Sequence, residues 1–311
     1  MKTVAILLSA YNGTDYITKQ IESIQGQNYQ NWQLFVRDDG SSDTTKEIVR
    51  NMGQSDNRIQ LYEDELGNLR VIKSFLELLK NVEADYYMFC DQDDFWKADK
   101  VERTLVRMEQ LEAKKQNPYL VHTDLVVVDN DLEVISESMF GLQKMSFEKT
   151  SLNHLLVQNN ITGCTTMINN DLKDLVVYHQ DIVMHDWWLG LIASSFGEIS
   201  FLQETTILYR QHGNNTVGAK KYGLSYFYSR YLEKAKTKQI QRNSFKQAQA
   251  FYEIYGARLS DKDNEVVKNY GEFLEGSILK RGNVFFKYKY FKNTTLRNTI
   301  FLPMLLFLKA K

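Results

Sequence analysis

Three polar clusters and one aromatic tetrad hold most of the side chains in this sequence that can do chemistry. Asp91-Gln92-Asp93-Asp94 follows the apolar run Tyr86–Cys90. Two carboxylates one residue apart, Asp91 and Asp93, can splay around a hard cation. Mg²⁺ or Mn²⁺ prefers oxygen ligands, and Mg²⁺ keeps waters and takes substrate phosphates. The competing reading is a solvated acidic turn, with Asp94 capping the next helix. Asp38-Asp39-Gly40 precedes Ser41-Ser42-Asp43. A carboxylate there can accept from a base N–H or from ribose hydroxyls; otherwise the segment is a turn with an N-cap, and Arg37 balances the acids. Ala10-Tyr11-Asn12-Gly13 is the third cluster. His185-Asp186-Trp187-Trp188 sets an acid between a histidine and two indoles. Partial desolvation would raise that carboxyl toward the range of a useful base, and indole faces stack on sugar rings. The alternative is an N-cap aspartate on a core helix.

Two further segments carry cations or a metal-binding ring. Gly67-Asn68-Leu69-Arg70 and Lys73 lie at the start of a helical pattern. Cations beside a helix N-terminus suit a pyrophosphate, though solvated surface charge explains each one singly. His212, in Tyr209-Arg210-Gln211-His212-Gly213, offers a ring nitrogen to a metal, while a lone histidine is more often structural. His122, His154 and His179 lack such a context and read as structural.

The elements that must position these groups follow from hydrophobic period. Thr3–Ser9, Trp32–Val36, Ile59–Tyr62 and Tyr86–Cys90 read as strands. Asp15–Ile24, Thr44–Met52, Val71–Leu79 and Lys97–Lys115 read as helices between and after them. This alternation implies α/β architecture, with a mainly parallel sheet flanked by helices. In such a sheet ligands bind beyond the carboxyl ends of the strands, where the three clusters fall. Clustered acids at strand ends repel, and a bound cation would relieve that cost. After Pro118 the pattern gives a strand at Tyr119–Val128 and a hairpin return at Leu132–Ile135. A strand at Cys164–Ile168, a helix at Asp186–Ser195 and two short strands within Glu198–Arg210 follow. Beyond Gly213 the chain turns helical and polar, over Tyr222–Gln239, Arg242–Tyr255 and Asp261–Leu274. The boundary is placed near Gly218, separating residues 1–217 from a helical region at 218–311.

Length and composition bound the classes. The chain has 311 residues, 43% hydrophobic and 25% charged, enough for about two ordinary globular domains. No apolar run approaches the ~20 residues of a membrane-spanning helix. The N-terminal run reads as a buried first strand rather than a signal peptide. Cys90 and Cys164 lie in apolar segments and read as buried free thiols, suited to a reducing cytoplasm. The net charge is -1, but from Gly276 to Lys311 there is no Asp or Glu and there are eight Lys or Arg. Phe285, Phe286, Tyr288, Tyr290 and Phe291 interleave with those cations, which suits an anionic membrane interface. The alternatives are packing on the acidic main body and binding to nucleic acid, and the body's negative charge argues against the latter.

Taken in order, Leu8-Ser9-Ala10-Tyr11-Asn12-Gly13, Asp38-Asp39-Gly40-Ser41-Ser42-Asp43, Asp91-Gln92-Asp93-Asp94, His185-Asp186 and Tyr209-Arg210-Gln211-His212 resemble the motifs of the family-two inverting glycosyltransferases. The resemblance covers residues 1 to about 217. It implies the GT-A fold, a Rossmann-like, mostly parallel mixed sheet flanked by helices, here with a C-terminal helical extension. Cys90–Trp96 and His185–Trp188 most resemble the bacterial cell-wall rhamnan rhamnosyltransferases, which implies dTDP-rhamnose as donor and cell-wall polysaccharide synthesis as the setting. By this resemblance Ala10, Tyr11 and Asn12 would line the nucleotide, and Asp38 or Asp39 would read the base. Asp91 would contact ribose or metal. Asp93 would ligate Mn²⁺ or Mg²⁺, and His212 would join as a further ligand or diphosphate contact. Asp186 matches the family's catalytic base. Two departures stand out: His185 replaces the usual acid before that base, and the Gly67 segment lacks the family's Ala-Arg-Asn run, which leaves Lys73 as the diphosphate contact there. Trp187 and Trp188 are the candidate acceptor residues.

The expected acceptor is a saccharide, polyprenyl-linked, at the inner membrane face. The protein would be cytoplasmic and peripheral there, and no nucleic acid is expected. A UDP-hexose donor is the main alternative. A non-catalytic sugar-nucleotide or membrane-binding module is a further one. A haloacid-dehalogenase-type phosphatase is disfavoured, because Phe95 stands where it needs Thr or Val.

Overall fold

A computed structural model describes residues 1–212 and 234–309. Its strands are β1 (Val4–Ala10), β2 (Trp32–Asp38), β3 (Ile59–Tyr62), β4 (Tyr86–Cys90), β5 (Phe95–Trp96), β6 (Tyr119–Val128), β7 (Val134–Ser136), β8 (Met167–Asn169) and β9 (Glu198–Arg210). The helices used below are α1 (Ile17–Gln25), α2 (Thr45–Ser55), α3 (Arg70–Asn81), α4 (Lys100–Glu112), α5 (Leu152–Val157), α6 (His185–Phe196), α7 (Lys234–Tyr255), α8 (Asp261–Gly271), α9 (Ile278–Lys287) and α10 (Thr295–Leu306). Two compact units form. The first comprises Met1–Met139, Ile161–Val176 and the described part of Gly197–Ala219. The second comprises Phe140–Asn160, Val177–Phe196 and the described part of Lys220–Lys311. Each unit is therefore discontinuous in sequence. The boundary expected near Gly218 lies outside the described residues.

The first unit is built on one sheet in the order β3-β2-β1-β4-β8-β6-β9-β5, with β7 paired to β6. The strands β3, β2, β1 and β4 run parallel. β8 is antiparallel to both β4 and β6, and β9 runs parallel to β6. The sheet is thus mixed, with a parallel half that starts the chain. β4 is buried throughout and β1 nearly so, which is why their sequences read as unbroken apolar runs rather than as alternation. Register sets the rim: Ala10 pairs with Asp38 and Leu8 with Cys90, so the three polar clusters leave one sheet edge side by side.

Local chemistry overrides period at several places. The strand expected at Cys164–Ile168 begins only at Met167. Gly163–Thr165 is instead a 3-10 turn, because the Thr165 and Thr166 hydroxyls donate to the carbonyls of Thr162 and Gly163 and compete with the ladder. The two short strands expected within Glu198–Arg210 are one strand, whose register against β6 shifts between Thr123 and Val126. The helix expected from Lys97 starts at Lys100, because Phe95 and Trp96 pair with β9 and the Lys97 amide donates to Thr206. The helix expected at Tyr222–Gln239 lies partly outside the described residues. Its last residues are continuous with the next one in α7.

The second unit is helical. α6 buries every residue from His185 to Ala193, as an all-round apolar helix must. Trp188 meets Phe251 edge-on at 5.3 Å between ring centroids, and its indole N–H donates to the Val177 carbonyl at 3.0 Å. Phe245 of α7 stacks on Phe273, and Gln241 donates to the Tyr270 hydroxyl of α8 at 2.7 Å. Among the described residues no helix is long and apolar enough to cross a membrane.

His122 is fully buried in β6 against Phe201. Burial pushes its imidazole down to about 3, and burial likewise pushes His185 down to about 3. Between those values and the ordinary 6.5, the unfolded chain binds protons that the folded chain does not, so stability rises with pH in that window. Urea unfolding should therefore show stability falling as pH drops below about 6.5, by up to ~1.4 kcal/mol per pH unit for each such histidine. The variant His122→Gln should lose one histidine's share of that slope; an unchanged slope would contradict the assignment.

Candidate active site

The site is assembled where β4 and β9 end. β5 pairs antiparallel with β9, Phe95 opposite Leu208 and Trp96 opposite Ile207. Extending that register puts Asp93 and Asp94 beside Arg210. The Arg210 amide donates to Asp94 Oδ1 at 3.2 Å, and its Nε donates to the Asp93 carbonyl at 3.0 Å. Two residues on, His212 Nε2 lies 2.7 Å from Asp93 Oδ2. The His212 ring stacks on Tyr16 with centroids 4.9 Å apart, and the Tyr16 hydroxyl donates to Asn130 Oδ1 at 2.9 Å. Arg210 lies over the other ring partner, 5.2 Å from the Tyr16 centroid, and also donates to the Asn130 carbonyl. Tyr16 and Arg210 thus fix the imidazole, and neither stood out in the sequence. Tyr16 read only as one apolar position of a helix; Arg210 stood in the His212 motif without a role.

Asp93 and His212 make a donor set suited to a hard or borderline divalent cation. Their 2.7 Å separation is close to the ~3 Å between neighbouring ligands around an octahedral ion with ~2.1 Å bonds. The pair fits Mn²⁺ or Mg²⁺. Asp91 sits with a different set: its donor atom, one of Asp94 and the Cys164 sulfur all lie within 4.8 Å of one another. Asp94 is not a helix cap. It is fully buried, and burial together with Asp91 and Asp93 pushes its carboxyl well up. Burial also pushes the Cys164 thiol up, which keeps it a thiol and a poor ligand for a hard cation. Beneath these acids lies Lys100, fully buried, with its ammonium 4.6 Å from the centre of the Trp96 ring. Burial pulls that ammonium down to about 8 against the opposing pull of Cys164, Cys90 and Asp94.

Beside this centre, the end of β1 is tied down by side chains from its neighbours. Gln92 accepts from the Tyr11 amide at 2.8 Å and donates to the Tyr11 carbonyl at 3.1 Å. Its amide passes so near Gly13 that a Cβ there would stand 2.4 Å from the Gln92 oxygen, so a side chain at this position would push the Gln92 amide aside. Asn12, at φ 48, donates its amide to Ser41 Oγ, and its Oδ1 accepts from the Ser42 amide. Thr45 Oγ1 accepts from the Gly13 amide. Burial would raise the Asp43 carboxyl, but hydrogen bonds from Thr45 and Thr14 outweigh it and hold it at about 2.

Asp38 and Asp39 differ in what surrounds them. Asp39 accepts from Arg37 Nη1 at 2.5 Å and from the amides of Leu69 and Arg70 at 2.6 and 2.8 Å. The opening amides of α3, expected to face a pyrophosphate, are therefore committed to Asp39. Arg37 also forks onto Asp64 at 2.7 and 3.0 Å and donates to the Gly67 carbonyl at 2.7 Å. Asp38 uses Oδ2 to accept from the Ser41 amide, while its Oδ1 is buried with no donor among the described residues. Lys73 lies exposed on α3.

In the second unit, Asp186 is buried in the first turn of α6. Its Oδ1 accepts from Asn159 Nδ2 at 3.0 Å and from the Trp187 amide at 2.6 Å. Asn159 was not singled out from the sequence. Both tryptophans depart from the expected acceptor platform. Trp188 is wholly buried, and Trp187 is nearly so, with its indole donating to the Leu155 carbonyl. An apolar helix with no polar face draws both rings into the core.

The model of glycosyl transferase family 2 matches residues 5–150. The chain is 28% identical over 231 residues to the dTDP-rhamnosyl transferase RfbG of Shigella flexneri, covering 68% of this chain and 74% of that one. It is 24% identical over 226 residues to the putative teichuronic acid biosynthesis glycosyltransferase TuaG of Bacillus subtilis, covering 70% and 82%. In fold it is similar to S. aureus TarS 1–349 solved with UDP-GlcNAc, at a TM-score of 0.57, 16% identity and coverage of 93% and 80%. Residues 5–150, just under half of the chain, match glycosyl transferase family 2, and the fold is similar to that of the GT-A glycosyltransferases.

Proposed function

We propose that this chain is an inverting glycosyltransferase that moves L-rhamnose from dTDP-rhamnose to a hydroxyl of a saccharide acceptor, polyprenyl-linked, in cell-wall polysaccharide synthesis. The observation that carries the transferase reading is the meeting of Asp93 and His212, 2.7 Å apart, beside the rim formed by Ala10 and Asp38. The rhamnosyl reading is supported by the similarity to RfbG.

Ala10, Tyr11 and Asn12 would line the nucleoside, and Asp38 would face its base, with Asp39 holding the loop before α3 in place. The buried, unmatched Asp38 Oδ1 is an acceptor suited to a pyrimidine N–H. Asp91 would meet ribose or metal, and Lys73 the diphosphate. Asp93 and His212 would hold Mn²⁺ or Mg²⁺, which when bound supplies Lewis-acid charge for the leaving diphosphate. Asp186 accepts the proton of the acceptor hydroxyl as that oxygen bonds to the anomeric carbon and the bond from that carbon to the diphosphate oxygen breaks. Asn159 and the Trp187 amide hold Oδ1, which orients the carboxylate for the transfer. One displacement inverts the centre, and one base suffices; the second carboxyl of a glycosidase has no counterpart task here. The setting is cytoplasmic, at the inner face of the membrane.

Two experiments test this reading. The full chain should be stabilised against thermal unfolding by dTDP-rhamnose with Mn²⁺ more than by UDP-glucose or UDP-galactose. Greater stabilisation by a UDP-hexose would move the donor assignment to that sugar. The variant Asp186→Asn should lose about a hundredfold or more in kcat while dTDP affinity stays unchanged. Wild-type turnover in that variant would remove Asp186 as the base.

A further inference from the structure

The last two helices of the second unit present an unusual surface. α9 and α10 lie antiparallel: Arg281, early in α9, donates to the carbonyls of Leu305, Leu306 and Leu308 at the end of α10. Their inner faces are well anchored. Phe285 packs on Phe301 and Phe291, and the Tyr290 hydroxyl donates to the Val266 carbonyl of α8 at 2.6 Å. Their outer faces carry Leu279 at 82%, Phe286 at 59%, Ile300 at 51% and Phe307 at 70% exposure. On each helix these apolar residues recur one or two turns apart, as on a single face: Leu279 with Phe286, and Leu296 with Ile300 and Phe307. Exposed cations flank them in the chain, Lys280 in α9, Lys289 just after it and Lys309 just after α10, and the segment from Gly276 onward contains no acid.

Large exposed apolar side chains beside exposed lysines select among occupants, even with Glu265 of α8 paired to Lys287. A second copy of the same face would bring like charges together. A nucleic acid would take the cations but leave leucine and phenylalanine in water. An anionic phospholipid surface takes both, with acyl chains for the apolar groups and phosphates for the lysines. We propose that the outer faces of α9 and α10 dock on an anionic bilayer, with Leu279, Phe286, Ile300 and Phe307 among the acyl chains and Lys280, Lys289 and Lys309 at the headgroup phosphates. The inference rests on this surface alone and holds whatever sugar the enzyme transfers.

The test is co-sedimentation of the full chain with vesicles of phosphatidylcholine alone and of phosphatidylcholine mixed with phosphatidylglycerol. Wild type should bind the anionic vesicles at least about tenfold more tightly than the neutral ones, and less tightly as salt rises. Two variants separate the contributions: Leu279→Ser with Phe286→Ser and Phe307→Ser, and Lys280→Gln with Lys289→Gln and Lys309→Gln. All six sites are exposed, but Phe286 also meets Phe285 and Phe291 edge-on, so melting temperatures are read first, and Leu279→Ser with Phe307→Ser alone carries the apolar test if Phe286→Ser lowers stability. Each should lose at least about tenfold in affinity for anionic vesicles. Equal binding to both vesicle types, or wild-type binding by either folded variant, would overturn the proposal. So would sedimentation showing a wild-type dimer that the serine variant abolishes while vesicle binding persists.

Discussion

The first unit depends on an approach of two side chains that are 119 positions apart, Asp93 and His212. Nothing local brings them together. The two-residue strand β5 does so, by pairing with the far end of β9 so that the residues before one strand face those after the other. Once the strands are paired, Arg210 binds the Asp93 carbonyl and the Asp94 carboxylate, and Tyr16 flattens the imidazole against its own ring. Three acids in four positions repel one another, and the fold answers with two buried cations, Lys100 and Arg210. Repulsion that the protein relieves only in part is the physical ground for proposing a divalent ion at this rim.

A second buried charge cluster shapes the rim beside β2. Arg37 joins β2 to the loop before α3 through Asp39, Asp64 and the Gly67 carbonyl. Removing one partner of such a buried set costs about 3–5 kcal/mol, because the others are left desolvated and unpaired. The cluster is therefore a rigid strut rather than a reserve of binding groups. It also explains the difference between neighbouring aspartates: Asp39 is saturated by protein donors, while Asp38 keeps a buried oxygen for something else.

Much of this was legible in the sequence, for definable reasons. β1 and β4 are buried on both faces, so unbroken apolar runs marked them, and the polar residues that ended those runs marked the rim. The pairing of Asp93 with His212 was an expectation that the strand topology supports. Long-range commitments were not legible. That Asp39 would take the opening amides of α3, or that Gln92 would cross to Tyr11, depends on neighbours that periodicity cannot show. Trp187 and Trp188 resembled a sugar platform because two indoles beside an acid are equally consistent with a core helix. The threonine hydroxyls that replace the start of β8 with a turn were likewise hidden by a β-branched composition that favours strand. In the tail, composition revealed the charge, but only the helices revealed which apolar residues face out.

The central claim is that Asp93 and His212 together hold one divalent ion beneath a nucleotide diphosphate. Calorimetric titration of Mn²⁺ into the full chain with dTDP present tests it most directly, on wild type, Asp93→Asn, His212→Gln and the double variant. Two ligands of one ion should each weaken Mn²⁺ binding by about tenfold or more, and the double variant should fall well short of the product of the two losses. Wild-type Mn²⁺ affinity in either single variant, or losses that multiply as for independent sites, would contradict the account.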